Sequence, residues 1–236
     1  MIEGPTLLSE ALDAGLVPTE VFATSDADAA LVDVAGAGGA IVRRISPEVL
    51  ARSIDTVTPQ GIAAIARRDE VGVDVAVEAA TRGPLVLVLV DVNDPGNAGT
   101  LLRAAEAAGA AAVLFSAGSV DPWNPKCVRA SAGALFHLPV AIGGEAVTLV
   151  ELLGGAGVRT VAAVVRDGVP CDETDLTGPI ALVMGSEAHG LPAAVRDRVD
   201  LCVSIPLAGR SESLNVAMAG SILCFEALRQ RRVAEG

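Results

Sequence analysis

The sequence predicts an α/β protein in two parts, a small α/β domain followed by a larger one built on a parallel sheet. Two observations carry this. Residues 84–91, Pro-Leu-Val-Leu-Val-Leu-Val-Asp, are apolar at nearly every position, as expected of a parallel strand covered on both faces. From there onward strand and helix patterns alternate, which is the signature of a parallel sheet with crossover helices. The order is helix 98–108, strand 111–115, helix 124–132, strand 138–141, helix 145–154, strands 159–164, 179–184 and 201–205, and helix 213–232.

The first part is shorter and more mixed. Pro5 to Ala14 places Leu7, Leu8, Ala11 and Leu12 at helical spacing and stops at Gly15. Glu20–Thr24 reads as a short strand, Pro47–Ser53 as a short helix, and Gly61–Ala66 as a strand that ends at Arg67-Arg68. The expected organisation is a domain at 1–70, a linker at 71–83 and a second domain at 84–236.

Composition narrows the function classes. The longest apolar run, Pro84 to Val90, is far too short to span a bilayer. The opening Met-Ile-Glu-Gly-Pro lacks the basic flank of a signal peptide, so the chain is expected to be cytoplasmic. Cys127, Cys171, Cys202 and Cys224 are widely spaced and form no Cys-x-x-Cys or Cys/His cluster. That argues against a metal site or disulfide framework and for small buried hydrophobes. Net charge is −12, half of the excess lying in residues 1–70. A nucleic-acid binder usually shows a basic footprint, so any RNA site here has to be a local arginine patch in a repulsive field.

Three polar, glycine-marked segments follow three separate buried strands. The first, Asp91 to Arg103, turns at Pro95-Gly96, has Asn97 where an N-cap belongs, and carries Arg103 two turns into the helix. Its glycines match no phosphate-binding loop. The second runs from Ile180 into Gly185, where a missing Cβ would let a ligand approach the backbone, then through Glu187 and His189 to Gly190-Leu-Pro. The third is Ile205 to Ala217, with a helix opening on Ser213 and Asn215. Loops at the carboxyl ends of parallel strands converge in space, so the three segments are expected to build one site.

Together they resemble the three motifs of the SpoU (TrmH-type) RNA ribose 2′-O-methyltransferases of the SPOUT superfamily. The matching residues are Asn97 to Arg103, Gly185-Ser-Glu-Ala-His-Gly-Leu191, and Ile205-Pro206 with Ser213-Leu-Asn-Val216, in an order and separation that also fit. The resemblance covers about residues 83–232. The first domain is similar to the small RNA substrate-binding domain often attached to this family, through Glu3-Gly-Pro-Thr-Leu-Leu and Thr58-Pro-Gln-Gly-Ile.

The resemblance implies a catalytic domain with a C-terminal trefoil knot, S-adenosylmethionine bound in bent form at the knot, and a homodimer whose active site draws on both protomers. By the family pattern the catalytic set is Asn97, Arg103, Glu187, Ser213 and Asn215. The cofactor would be held by Met184, Gly185, Gly190, Ile205, Leu207, Ser213 and Leu214. Asn97, Ser213 and Asn215 would orient Arg103 and the ribose. Glu187 would accept from a donor in the site, such as the other protomer's Asn97 or arginine. No metal is implied, because the methyl donor carries its own leaving group. Arg43, Arg44, Arg67 and Arg68 are candidates for RNA phosphate contact, together with Arg52 and, near the site, Arg129 and Arg210. The family's first domain is often preceded by a basic stretch. Here that stretch is missing or lies upstream of the start.

The family assigns the proton-accepting role to the arginine matching Arg103. A guanidinium with an ordinary pKa is a poor base. Arg103 is therefore read as stabilising the developing alkoxide and positioning a phosphate. Ribosomal RNA is favoured over transfer RNA as the substrate. A non-catalytic RNA- or ribosome-binding factor with the same fold, and a small-molecule methyltransferase using the same cofactor, remain alternatives.

Overall fold

In the computed structural model, residues 1–235 are described apart from 55, 57, 69 and 70. The chain divides into two compact units, Met1–Asp69 with Ala132–His137, and Glu70–Ser131 with Leu138–Gly236.

The first unit runs β1 (Ile2–Glu3), α1 (Pro5–Asp13), β2 (Glu20–Ala23), α2 (Ala29–Ala37), β3 (Ile41–Arg44), α3 (Pro47–Ser53) and β4 (Ile62–Ile65). Its four strands lie in the order β1-β4-β2-β3. β4 is antiparallel to both neighbours and β3 is parallel to β2. α1 starts on Pro5, whose fixed φ suits the first turn of a helix, and buries Leu7, Leu8 and Ala11. Ser46 caps α3 by accepting from the Val49 amide. β1, α2 and β3 had no expectation in the sequence. β3 is an edge strand exposed at all its positions, so no burial pattern marks it.

The second unit continues α4 (Val73–Arg82), β5 (Leu85–Leu89), α5 (Pro95–Ala107), β6 (Ala112–Phe115) and α6 (Pro125–Ser131). After α7 (Ala134–His137), which groups with the first unit, come β7 (Val140–Ile142), α8 (Ala146–Gly155), β8 (Arg159–Ala163) and β9 (Val169–Pro170). The chain ends with β10 (Ile180–Met184), α9 (Ala193–Arg196), β11 (Leu201–Ser204) and α10 (Val216–Glu235). Among the described residues the sheet has seven strands, ordered β7-β6-β5-β10-β8-β11-β9, and every pairing is parallel.

β5 and β10 are buried at every position, which is why both read as unbroken apolar runs. Alternate residues serve opposite faces. Val86, Val88, Ala181 and Val183 pack with Ala76 and Ala80 of α4 and with Leu149, Val150 and Leu153 of α8. Residues 71–83, expected as a linker, thus hold a ten-residue helix seated on this core. Its alanines bury little area, so the sequence signal was faint. α5 and α10 pack on each other and on β5 and β10. A Cβ at Gly220 of α10 would collide with Leu101 of α5, so glycine sets how closely these helices approach.

Candidate active site

Four segments meet at the carboxyl ends of the parallel strands. Three of them wall a cavity of about 650 Å³: residues 163–165 after β8, 184–190 after β10, and a set from Ile205 to Val216 after β11, with Ala219 and Leu223 of α10 closing it. Met184, Gly185, Gly190, Ile205, Leu207, Ser213 and Leu214 all line it. So do Glu187, His189 and Asn215. The fourth segment, the start of α5, holds Glu187.

The capping pattern differs from the sequence expectation at both helices. α5 begins at Pro95, and Asp94 is its N-cap, accepting from the Asn97 amide at 2.8 Å. Asn97 is thereby one turn further in, with its side chain free for other work. α10 begins at Val216, capped by Asn215, whose Oδ1 accepts from the amides of Ala217 at 2.9 Å and Met218 at 3.3 Å. Ser213 lies before the helix, exposed at the cavity wall.

These two asparagines and Glu187 form a chain. Asn97 Nδ2 donates to Glu187 Oε1 at 2.9 Å, and Asn215 Nδ2 donates to Asn97 Oδ1 at 3.0 Å. The amide orientations follow from chemistry. A carboxylate only accepts, so Asn97 must present its NH₂ to Glu187 and its oxygen to Asn215. Asn215 must then present its own NH₂, leaving its oxygen for the helix amides. The backbone amides of Asn93 and Asp94 also point at Glu187, each at 3.4 Å. Burial pushes the Glu187 carboxyl up. The hydrogen bonds from Asn97 and from the backbone outweigh it and hold the group below its ordinary value. Within the chain, the side-chain donor to Glu187 is Asn97.

Gly185 is needed for a different reason from the one its sequence context suggested. A Cβ there would collide with the Gly190 carbonyl carbon and lie 2.5 Å from the Leu191 nitrogen. The loop closes on itself, with the Gly190 amide donating to the Ser186 carbonyl at 2.8 Å. An added Cβ would point into this loop, while Gly185 itself lines the cavity.

Arg103 stands apart from the chain. It lies six positions along the helix from Asn97, which turns the two side chains about 120° away from each other. Among the described residues it has no hydrogen-bond or ion-pair partner, and it is exposed. Within the chain, Asn97 hydrogen-bonds Glu187 and Asn215 and not Arg103. Arg103 follows Gly99 by one helical turn. A Cβ at Gly99 would meet Ala130 Cβ at 2.5 Å and the Cys127 carbonyl oxygen at 2.6 Å, so Arg103 lies on the α6 side of its helix.

The remaining arginines are scattered. Arg43 is held by both carboxylate oxygens of Glu20, at 3.0 and 3.1 Å, which ties up its charge. Arg44, Arg52, Arg67, Arg68 and Arg210 are exposed and Arg129 is half-buried. Cys127, Cys171 and Cys224 are buried and Cys202 half-buried, all as free thiols. Burial pushes the Cys127 and Cys224 thiols up to about 12. Among the described residues no cluster of His, Cys, Asp and Glu is placed to hold a metal ion, and no helix is long and apolar enough to cross a membrane.

The cavity also uses residues that sequence reasoning missed, chiefly Ala163, Val164 and Val165 at the end of β8. Nothing polar marks them. Their only signal was position, since β8 is one more parallel strand opening at the same edge.

A parallel α/β sheet with a deep pocket at its strand ends, walled by two glycine-bearing loops and a capped C-terminal helix, defines a class that comparison identifies. The chain belongs to the SpoU rRNA Methylase family, which matches residues 84–225, and residues 1–71 match the RNA 2′-O ribose methyltransferase substrate-binding family. It is 33% identical over 225 residues to the 23S rRNA (guanosine(2553)-2′-O)-methyltransferase RlmP of Bacillus subtilis (strain 168), covering 95% of this chain and 86% of that one. Among solved structures, the SpoU methyltransferase AviRb from Streptomyces viridochromogenes superposes with a TM-score of 0.87 at 25% identity, covering 99% of this chain and 90% of that one. An AdoMet-bound rRNA methyltransferase from Sinorhizobium meliloti gives 0.84 at 29% identity, covering 96% and 85%.

Proposed function

We propose that this protein transfers a methyl group from S-adenosylmethionine to a ribose 2′-hydroxyl of ribosomal RNA. The observation that carries the reading is the hydrogen-bonded chain Glu187–Asn97–Asn215 along the wall of a cofactor-sized cavity. The relatives named above act on 23S rRNA or are rRNA methyltransferases by name, which favours that substrate over transfer RNA.

The residues present fit the cofactor. About 650 Å³ lies within the range of small-molecule sites. Val164, Val165, Ile205, Leu207 and Leu214 offer an apolar slot for a purine, and the exposed edge of the 185–190 loop offers backbone groups. When bound, S-adenosylmethionine supplies the activated methyl group and its own leaving group, so no metal is needed.

This chain's part is positioning and charge. Asn97 and Asn215 each keep a second amide hydrogen beyond the chain they form, and these are the groups that fix the ribose. Glu187, ionised at neutral pH, locks both amides in one orientation. Ser213, at the mouth, adds a hydroxyl. The site draws on two copies of the chain, and Arg103 of the second copy stabilises the 2′-oxygen as its proton leaves to solvent and holds the neighbouring phosphate. It stays protonated throughout, since its ordinary pKa is far above neutrality. Its lack of a partner among the described residues leaves it available for RNA.

Three further features belong to the reading. The C-terminal segment is threaded as a trefoil knot, a rare exception to unknotted topology. The insertion of β10 between β5 and β8, with α10 returning to α5, supports this. A second copy of the chain covers α10, where Met218, Ile222, Phe225 and Val233 form an exposed apolar stripe at helical spacing. The first domain docks RNA through Arg44, Arg52, Arg67 and Arg68, in the cytoplasm.

Calorimetric titration tests the cofactor half directly. Saturable binding of S-adenosylmethionine that is retained in Arg103→Ala is expected. Absence of binding at millimolar cofactor would favour a non-catalytic RNA-binding factor.

A further inference from the structure

The cavity lining carries one carboxylate, Glu187, and neither lysine nor arginine. S-adenosylmethionine ends in an α-amino acid zwitterion. Its carboxylate requires donors, best a cation, and its ammonium requires acceptors. A matching pair stands at the mouth. Arg166 follows the wall residue Val165, and Glu212 precedes the wall residue Ser213.

The Arg166 guanidinium donates to Glu212 Oε1 at 3.4 Å, the long end of hydrogen-bond distance. Both side chains are mostly in solvent, 71% and 84% exposed. The pair joins two different walls, the turn after β8 and the loop after β11. The backbone next to Arg166 is well fixed. Asp167 adopts φ 61°, and Ser204 Oγ donates to the Gly168 carbonyl at 3.0 Å. A Cβ at Gly168 would meet the Val203 carbonyl carbon at 2.6 Å. So the turn is pressed onto β11, and Arg166 projects from a rigid base. An exposed ion pair of this length contributes little to stability, and its two charges can be exchanged for those of a ligand.

We propose that Arg166 and Glu212 form the subsite for the amino-acid end of the cofactor, Arg166 taking the α-carboxylate and Glu212 the α-ammonium. This rests on the reading of the cavity as the S-adenosylmethionine site. Both residues act on cofactor affinity, and neither belongs to the Glu187–Asn97–Asn215 chain.

The test is calorimetry with S-adenosylmethionine and its decarboxylated form, on the wild type, Arg166→Gln and Glu212→Gln. The wild type is expected to prefer the carboxylate-bearing form by about tenfold, the scale of one charge-assisted contact. Arg166→Gln erases that preference and leaves affinity for the decarboxylated form unchanged. Glu212→Gln weakens both forms and keeps the preference. A wild type without preference, or a preference that survives in Arg166→Gln, overturns the subsite. So does an equal loss for both ligands in Arg166→Gln, which would make the pair a latch between loops. A wild type that binds neither form overturns the cofactor reading itself, a result separate from any behaviour of the variants.

Discussion

The two units use their sheets differently. In the seven-stranded unit every strand runs parallel, so all carboxyl ends open at one edge, and the loops there are forced together. In the four-stranded unit β4 runs against both its neighbours, so strand ends of both kinds fall at each edge of the sheet. Its basic groups are spread over the edge strand β3, helix α3 and the segment after β4, and Arg43 is paired with Glu20. The difference teaches where precision resides. On the proposed function, chemistry that must hold atoms closely would sit on the parallel edge, where backbone amides brace Glu187, and docking of a polyanion would need only exposed charge.

That contrast can be broken by substitution. The largest effect is expected at Arg103. Arg103→Ala should lower methyl transfer by about 100-fold or more, the scale of losing one transition-state donor, while cofactor affinity stays at the wild-type level by calorimetry. A proportionate loss of both would place Arg103 in cofactor binding instead.

Gly185→Ala should follow. With the new methyl driven into Gly190 and Leu191, thermal denaturation should show a loss of about 1–3 kcal/mol together with weakened cofactor binding. An unchanged melting temperature would mean that the loop can move aside without loss.

Glu187→Gln keeps the shape and can still accept from Asn97 through its oxygen, but it loses the charge and sets an NH₂ against the Asn93 amide. Turnover should fall by about tenfold or more. The pH dependence has a definite sign. The folded-state pKa of Glu187 is depressed below 4.5, so its stabilising contribution is complete above that value and is lost as pH falls through the lower folded value. The variant should lack this acid-side loss in a stability-against-pH series.

The smallest effect is expected in the other unit. Replacing Arg67 and Arg68 with Ala should weaken RNA binding a few-fold at low salt, flatten the salt dependence by about one to two contacts, and leave cofactor binding untouched. A loss as large as that of Arg103→Ala would remove the distinction between the two regions.

Much of this was legible in the sequence because burial and backbone geometry leave marks there. β5 and β10 are apolar throughout because both faces are covered, and the loops announce themselves through Gly185, Gly190 and Pro206. What escaped had no such mark. α2, Ala-Ala-Leu-Val-Asp-Val-Ala-Gly-Ala, is apolar with little amphipathic contrast, and its Asp28 cap was the only cue. The caps of α5 and α10 were misplaced because Asp94 and Asn97, like Ser213 and Asn215, are equally good capping types. Only the position where the chain turns helical decides between them. The cavity wall from β8 is purely aliphatic, and strand order, which brings it there, is a long-range property that no local pattern encodes.

The central claim is methyl transfer to a ribose oxygen, and its most direct test is to incubate the protein with labelled S-adenosylmethionine and unmodified ribosomal RNA, then identify the labelled nucleoside. The account predicts a single 2′-O-methyl nucleoside, absent with Arg103→Ala. Label on a base, or cofactor binding with no label in any RNA, would contradict it.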